Sequence, residues 1–130
     1  MIVQRSKAGY SNTVGALVAA IERRGLTLFA RVNHAGGARD AGLELADEEV
    51  VVFGSPVGGT PLMQSDPRIG IELPLKMLVW REGDDVLVGF RDPRELAGSY
   101  EVAVHQATLE QMAALLGELA AEAAGAAPAG

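Results

Sequence analysis

The sequence predicts a two-layer α+β domain of order β-α-β4-α, with a mostly antiparallel sheet and two long helices on one of its faces. Three observations predict it. Two long segments, one near each end of the chain, carry an apolar stripe at helical spacing. Four segments between them alternate, or run apolar, over strand lengths. The last two of these are separated only by Glu82-Gly83-Asp84, a hairpin connection that makes them antiparallel neighbours.

Taken in order, residues 2–8 form a weakly patterned first strand. Ser11-Asn12-Thr13 offers side-chain oxygens to the open N–H groups of a helix start. Val14, Leu17, Val18 and Ile21 then make one stripe, Arg23 and Arg24 suit the negative end of the helix dipole, and Gly25 supplies a left-handed cap. From Leu26 to Asn33 the chain alternates, with Leu26, Leu28, Ala30 and Val32 on one face, as in a half-buried strand. Gly36, Gly37 and Gly42 make a long helix costly, so residues 34–45 are expected to be a loop with one helical turn around Ala38–Ala41.

Glu48–Phe53 is apolar on both faces through Val50, Val51 and Val52, which places it centrally in the sheet. Gly54–Gly59 reads as a loop, Thr60-Pro61 and Asp66-Pro67 as cap-then-proline helix starts, and residues 60–72 as short helical pieces. Leu75–Arg81 and Asp85–Arg91 are the hairpin strands, ended by Asp92-Pro93, and residues 94–106 are poorly patterned. Thr108-Leu109-Glu110-Gln111 fits a capping box, and Met112, Leu115, Leu116 and Leu119 face the core from the last helix, which Gly125 ends. Residues 1–125 are expected to form one domain, with 126–130 a disordered tail.

Composition narrows the function classes. At 130 residues with 48% hydrophobic content, the chain can bury a core without covalent staples. The net charge of −6 removes the electrostatic attraction that nucleic acids and anionic membranes exert on basic proteins, so neither is expected as a partner. The absence of cysteine excludes thiol nucleophiles, disulfides and thiolate metal sites. No stretch approaches the ~18 apolar residues of a membrane span, and the first residues lack a signal-peptide core. The expected location is the cytoplasm.

Four runs carry a family resemblance. His34-Ala35-Gly36-Gly37-Ala38-Arg39-Asp40-Ala41-Gly42-Leu43-Glu44-Leu45 resembles the first signature of the domain-of-unknown-function 302 family. Phe53-Gly54-Ser55-Pro56-Val57-Gly58-Gly59-Thr60-Pro61-Leu62-Met63-Gln64 is similar to its second. Leu73-Pro74-Leu75-Lys76 and Asp92-Pro93 resemble the third and fourth, so that the resemblance spans residues 10–95. It implies a fold like half of a TATA-binding-protein saddle, often paired as a homodimer, and it implies no activity. Residues 94–107 are less typical of the family.

Six residues are candidate ligand contacts: His34, Gly54, Gly59, Thr60, Met63 and Lys76. Glycines let backbone N–H groups converge, and a helix N-terminus favours negative charge, so Gly54–Gly59 leading into Thr60 could cradle an anion. The plainer reading is a tight turn, since no Gly-Lys-Ser/Thr follows and Pro61 removes one donor. His34, at a strand end, could act as a base, with Asp40 or Glu44 to orient it; a loop anchor is the plainer role. His34 and His105 lack metal-ligand spacing, and no metal or cofactor is expected. Lys76 shares a face with Leu78 and Trp80, where partial desolvation would suit it to bind an anion; a stem lying on apolar surface is the alternative. Met63 could line an adaptable pocket or simply fill the core.

The sequence thus favours a homodimeric module that binds a small anionic molecule. An enzyme using His34 or Lys76 as acid or base, and a structural or interaction domain, are the alternatives.

Overall fold

The computed structural model describes residues 1–125; the tail expected to be disordered, residues 126–130, lies outside the described residues. Five strands, β1 (Ile2–Arg5), β2 (Thr27–Asn33), β3 (Glu48–Gly54), β4 (Leu75–Glu82) and β5 (Asp85–Phe90), form one sheet in the order β1-β5-β4-β3-β2. Every neighbouring pair is antiparallel. The two outer strands therefore point the same way from opposite edges, and α1 (Tyr10–Arg23) carries the chain across the sheet between them.

The core lies between one sheet face and two helices. From α1 it takes Val14, Leu17, Ala20 and Ile21; from α4 (Gln106–Ala124) it takes Leu116, Leu119, Ala120 and Ala123. The sheet contributes Val51 and Phe53 from β3, Met77 and Val79 from β4, and Val86, Val88 and Phe90 from β5. Register explains the set: Val51 pairs with Met77, and Val79 pairs with Val88, so their side chains rise on the same side of the pleat. Gly25 adopts φ of 69°, the left-handed turn that closes α1, and Gly83, at φ of 60°, turns the β4–β5 hairpin.

Several local expectations change. The α1 N-cap is Gly9, so Ser11, Asn12 and Thr13 lie inside the helix; the buried Thr13 hydroxyl donates back to the Gly9 carbonyl at 2.8 Å. Likewise α4 begins at Gln106, which puts Thr108 inside it, and no side chain caps its start. Residues His34–Asp40 form a helix, α2, despite Gly36 and Gly37, because Asn33 Oδ1 accepts the Gly36 N–H at 2.9 Å. Pro56–Ser65 is also a helix, α3, so the expected 54–59 loop is mostly its first turn, with Ser55 rather than Thr60 at the N-cap. The poorly patterned stretch contains two 3-10 turns, Pro93–Gly98 and Ala103–His105.

The second strand is an edge rather than a half-buried element, and its alternation is broken. Leu28 pairs with Phe53 on the helix side, whereas Ala30 pairs with Val52 on the other, because the register shifts between Leu28 and Ala30. The bulge puts Arg31 on the helix side, where its Nε donates to the buried Glu49 carboxylate at 2.6 Å. Burial, together with Glu49 and Asp47, pushes the nearby Tyr10 phenol up to about 12. The centre of the sheet is β4, with β3 beside it.

A smaller apolar cluster joins α3, the 3-10 turn Pro67–Ile71 and the start of α4 through Leu62, Ile69, Val102, Leu109 and Met112. A buried carboxylate ties it together. Asp66, 4% exposed, accepts from the Arg68 backbone and guanidinium and from the Glu101 N–H, at 2.8–3.1 Å. Ser65 Oγ completes the seam by donating to the Glu101 carbonyl at 2.7 Å. The hydrogen bonds from Arg68, with that from Glu101, hold the Asp66 carboxyl well below its ordinary 3.8. The unfolded chain therefore takes up this proton first as pH falls. Asp66 contributes stability above about pH 4 that is lost on further acidification. Asp66→Asn is expected to flatten the pH dependence of the thermal midpoint between about pH 4 and pH 2. An unchanged slope would remove Asp66 from the acid response.

Candidate functional site

Two cavities flank the start of β4, and Leu73 and Leu75 line both. The first, about 330 Å³, lies at the end of the sheet where β4 begins and β5 ends. Lys76 reaches it from the strand face opposite the helices, since its register partner is Val52. His34 reaches it from the first position of α2, beside Val50 and Leu78. The rest of the polar lining is Glu72, Arg91, Asp92, Glu95 and Ser99.

The hydrogen bonds sort these charges. Arg94 grips Asp92 through Nε and Nη2 at 2.7–3.1 Å, and this pairing lowers the Asp92 pKa. Glu72 accepts the Tyr100 hydroxyl at 2.8 Å, which raises the pKa of that phenol. Lys76 Nζ makes only long bonds to carbonyl oxygens, 3.3 Å to Glu72 and 3.4 Å to Pro74. Among the described residues, neither Lys76 nor Arg91 forms an ion pair with a carboxylate. Lys76 is exposed rather than partly desolvated, and its ammonium turns back toward the Glu72 and Pro74 carbonyls just before the strand. Arg91 is the residue that sequence reasoning missed; its only signal was its place directly after a strand and before Asp92-Pro93.

The second cavity, about 300 Å³, lies between α3, the β2 bulge and α4. Gly54, Gly59, Thr60 and Met63 line this one. The structure thus brings His34 to Lys76, and separately groups the four α3-side residues, with the Leu73–Leu75 segment between the two sets. The Gly58 and Gly59 N–H groups are both spent on the Ser55 carbonyl at 3.1 Å, so these two donors are not offered to the anion that the run could cradle.

Asp40 and Glu44 are exposed, and neither lines either cavity nor hydrogen-bonds His34 among the described residues. His105 is half-buried in its 3-10 turn, apart from both sites. Among the described residues there is no cluster of three or more His, Asp or Glu side chains able to hold a metal ion.

The family model "Domain of unknown function DUF302" matches residues 2–119. The chain belongs to the DUF302 family. A crystal structure of an uncharacterized conserved DUF302 protein from Bacillus stearothermophilus has the same fold, with a TM-score of 0.84 over 94% of this chain and 96% of that one at 15% identity. Curated relatives are longer. "Fluoride-specific ion channel FluC 1" of Brucella suis biovar 1 (strain 1330) is 36% identical over 98 residues, 75% of this chain and 39% of that protein. Its counterpart in Brucella abortus biovar 1 (strain 9-941) is 36% identical over 98 residues, 36% of that protein. This DUF302 domain thus spans under two-fifths of the curated relatives it matches. No helix among its described residues is long and apolar enough to cross a membrane.

Proposed function

We propose that this DUF302 domain is a homodimeric binding module for a small organic anion, held in the cavity between β4, β5 and α2. One observation carries the reading: Lys76 and Arg91 line the same cavity as His34, and neither cation has a carboxylate partner among the described residues. Two unpaired cations converging on a concave site give an anionic group charge-assisted hydrogen bonds. The cavity also holds Glu95, which has no bonded donor among the described residues, so a ligand that carries hydroxyl or amino donors beside its anionic group fits better than a bare ion.

The dimer reading draws on the sheet face away from the helices. Val32, Val50, Val52, Leu78 and Leu87 lie there exposed or half-buried, with Trp80 among them. A second copy laid on that face would cover them, and would close the mouth beside His34 and Lys76.

Conduction, which the names of the Brucella relatives state, is not assigned to this domain, because the match covers 36–39% of those proteins and the matched fold has no helix able to cross a membrane among its described residues. The names do justify fluoride as one arm of the test.

Calorimetric titration with citrate, phosphate, lactate and fluoride is expected to find saturable binding of at least one anion. Lys76→Ala or Arg91→Ala should each weaken it about 10–100-fold, the range for losing a hydrogen bond to a charged group. Binding that survives both substitutions, or no binding at all, would reject the site. Light scattering over a dilution series tests the dimer by itself: a mass equal to one chain at every concentration removes it.

A further inference from the structure

We propose that the second cavity is a separate binding site for an uncharged alkyl-chain molecule with a hydroxyl head, independent of the anion site. No ionisable side chain lines it. Its rim is Phe29, Met63 and the hydroxyl-bearing Thr60, all exposed, while Leu73 and Met112 lie deeper. A charged group drawn inside would lose its hydration without compensation, whereas methylene groups would lose only unfavourable contact with water. The volume of about 300 Å³ stands at the lower end of the ligand-pocket range, enough for a chain of several carbons.

The helix that forms one wall is built against its own stability. Gly58 and Gly59 sit in the first half of α3, and Pro61 follows within the helix. A glycine within a helix costs up to about 1 kcal/mol relative to alanine. Neither glycine has a positive φ, so no backbone strain demands them. What they provide is space. A Cβ at Gly58 would come 3.8 Å from Met112 Cε, and one at Gly59 would come 3.4 Å from Leu73 Cδ1, both on cavity-lining side chains. Larger side chains at these positions would grow into the hollow. The β2 bulge completes the opening, because it frees Phe29 from the strand's alternation and sets it at the rim, 53% exposed. Met63 and Met112 give that rim and floor unbranched side chains that adapt to a chain's contour.

The test is a titration of the full chain, labelled with 13C at its methionine methyls, with 1-butanol, 1-hexanol and 1-octanol. The Met63 and Met112 signals are expected to shift saturably, with affinity rising about fourfold per added methylene until the cavity is full. Gly58→Leu should abolish the shifts, and Gly59→Ala should weaken them while keeping or raising the thermal midpoint, which separates a filled cavity from a lost fold. Lys76→Ala should leave them unchanged. Shifts that stay linear to the solubility limit, affinity that ignores chain length, or tighter binding of octanoate than of 1-octanol would overturn the proposal. So would self-association abolished by Gly58→Leu, which would give the cavity to a second copy.

Discussion

Replacing Phe53 with alanine is expected to lower the unfolding free energy by about 3–5 kcal/mol, the usual cost of deleting a buried aromatic ring. Phe53 is fully buried on β3, opposite Leu28 on one side and Leu75 on the other. Three strands close around the ring, so the structure cannot collapse into the space without pulling the sheet from α1 and α4. Domains of this size are commonly stable by only about 5–15 kcal/mol, so the loss would consume a large share. Urea unfolding followed by far-ultraviolet dichroism measures it. Val52→Ala, one residue away but on the opposite, half-buried face, should cost distinctly less. Equal losses would mean that the helices do not cover the face assigned to them.

Gly89→Val is expected to destabilise by about 1–3 kcal/mol, the range for forcing volume into a packed site, and to shift the emission of the single tryptophan. Gly89 lies on β5 with Leu78 on one side and Val3 on the other. A Cβ there would meet Met1 Sδ at 2.7 Å and the Trp80 ring at 3.0 and 3.1 Å. The methionine tip can swing away; the indole cannot move without leaving its place over the glycine, where its Nε1 donates to Glu82 at 2.9 Å. Because Gly89 and Met1 also border the first cavity, anion affinity should fall in the same variant. Gly15→Ala, in α1 with nothing within 4 Å of the added carbon, is the control and should not destabilise. Unchanged Trp80 emission in Gly89→Val would show that the ring does not pack there.

The candidate site was legible only in pieces. Simple alternation places Lys76 on the face of Leu78 and Trp80, and the observed register with β3 agrees. The strand pattern alone does not say on which side His34 lies, because the bulge after Leu28 resets that pattern before His34 is reached. Arg91 could not be singled out, because an arginine after a strand is ordinary until a lysine from another strand is found sharing its cavity. The Gly54–Gly59 run reads as a loop, because glycine and proline usually break helices. Here Ser55 at the N-cap and Pro56 at the first helical position start α3, and the Leu62–Ile69–Val102 cluster holds it in place.

The amino-acid sequence by itself determined the strand and long-helix order, the stripe of α1, the glycine that ends it and the β4–β5 hairpin. These depend on side-chain periodicity and on turn chemistry within a few residues, which any short window of the chain contains. Tertiary structure alone decided that His34 and Lys76 share one hollow while Gly59, Thr60 and Met63 share another. A wall such as Leu73–Leu75 is made by packing residues distant along the chain, and no local pattern states which side of it a loop will take.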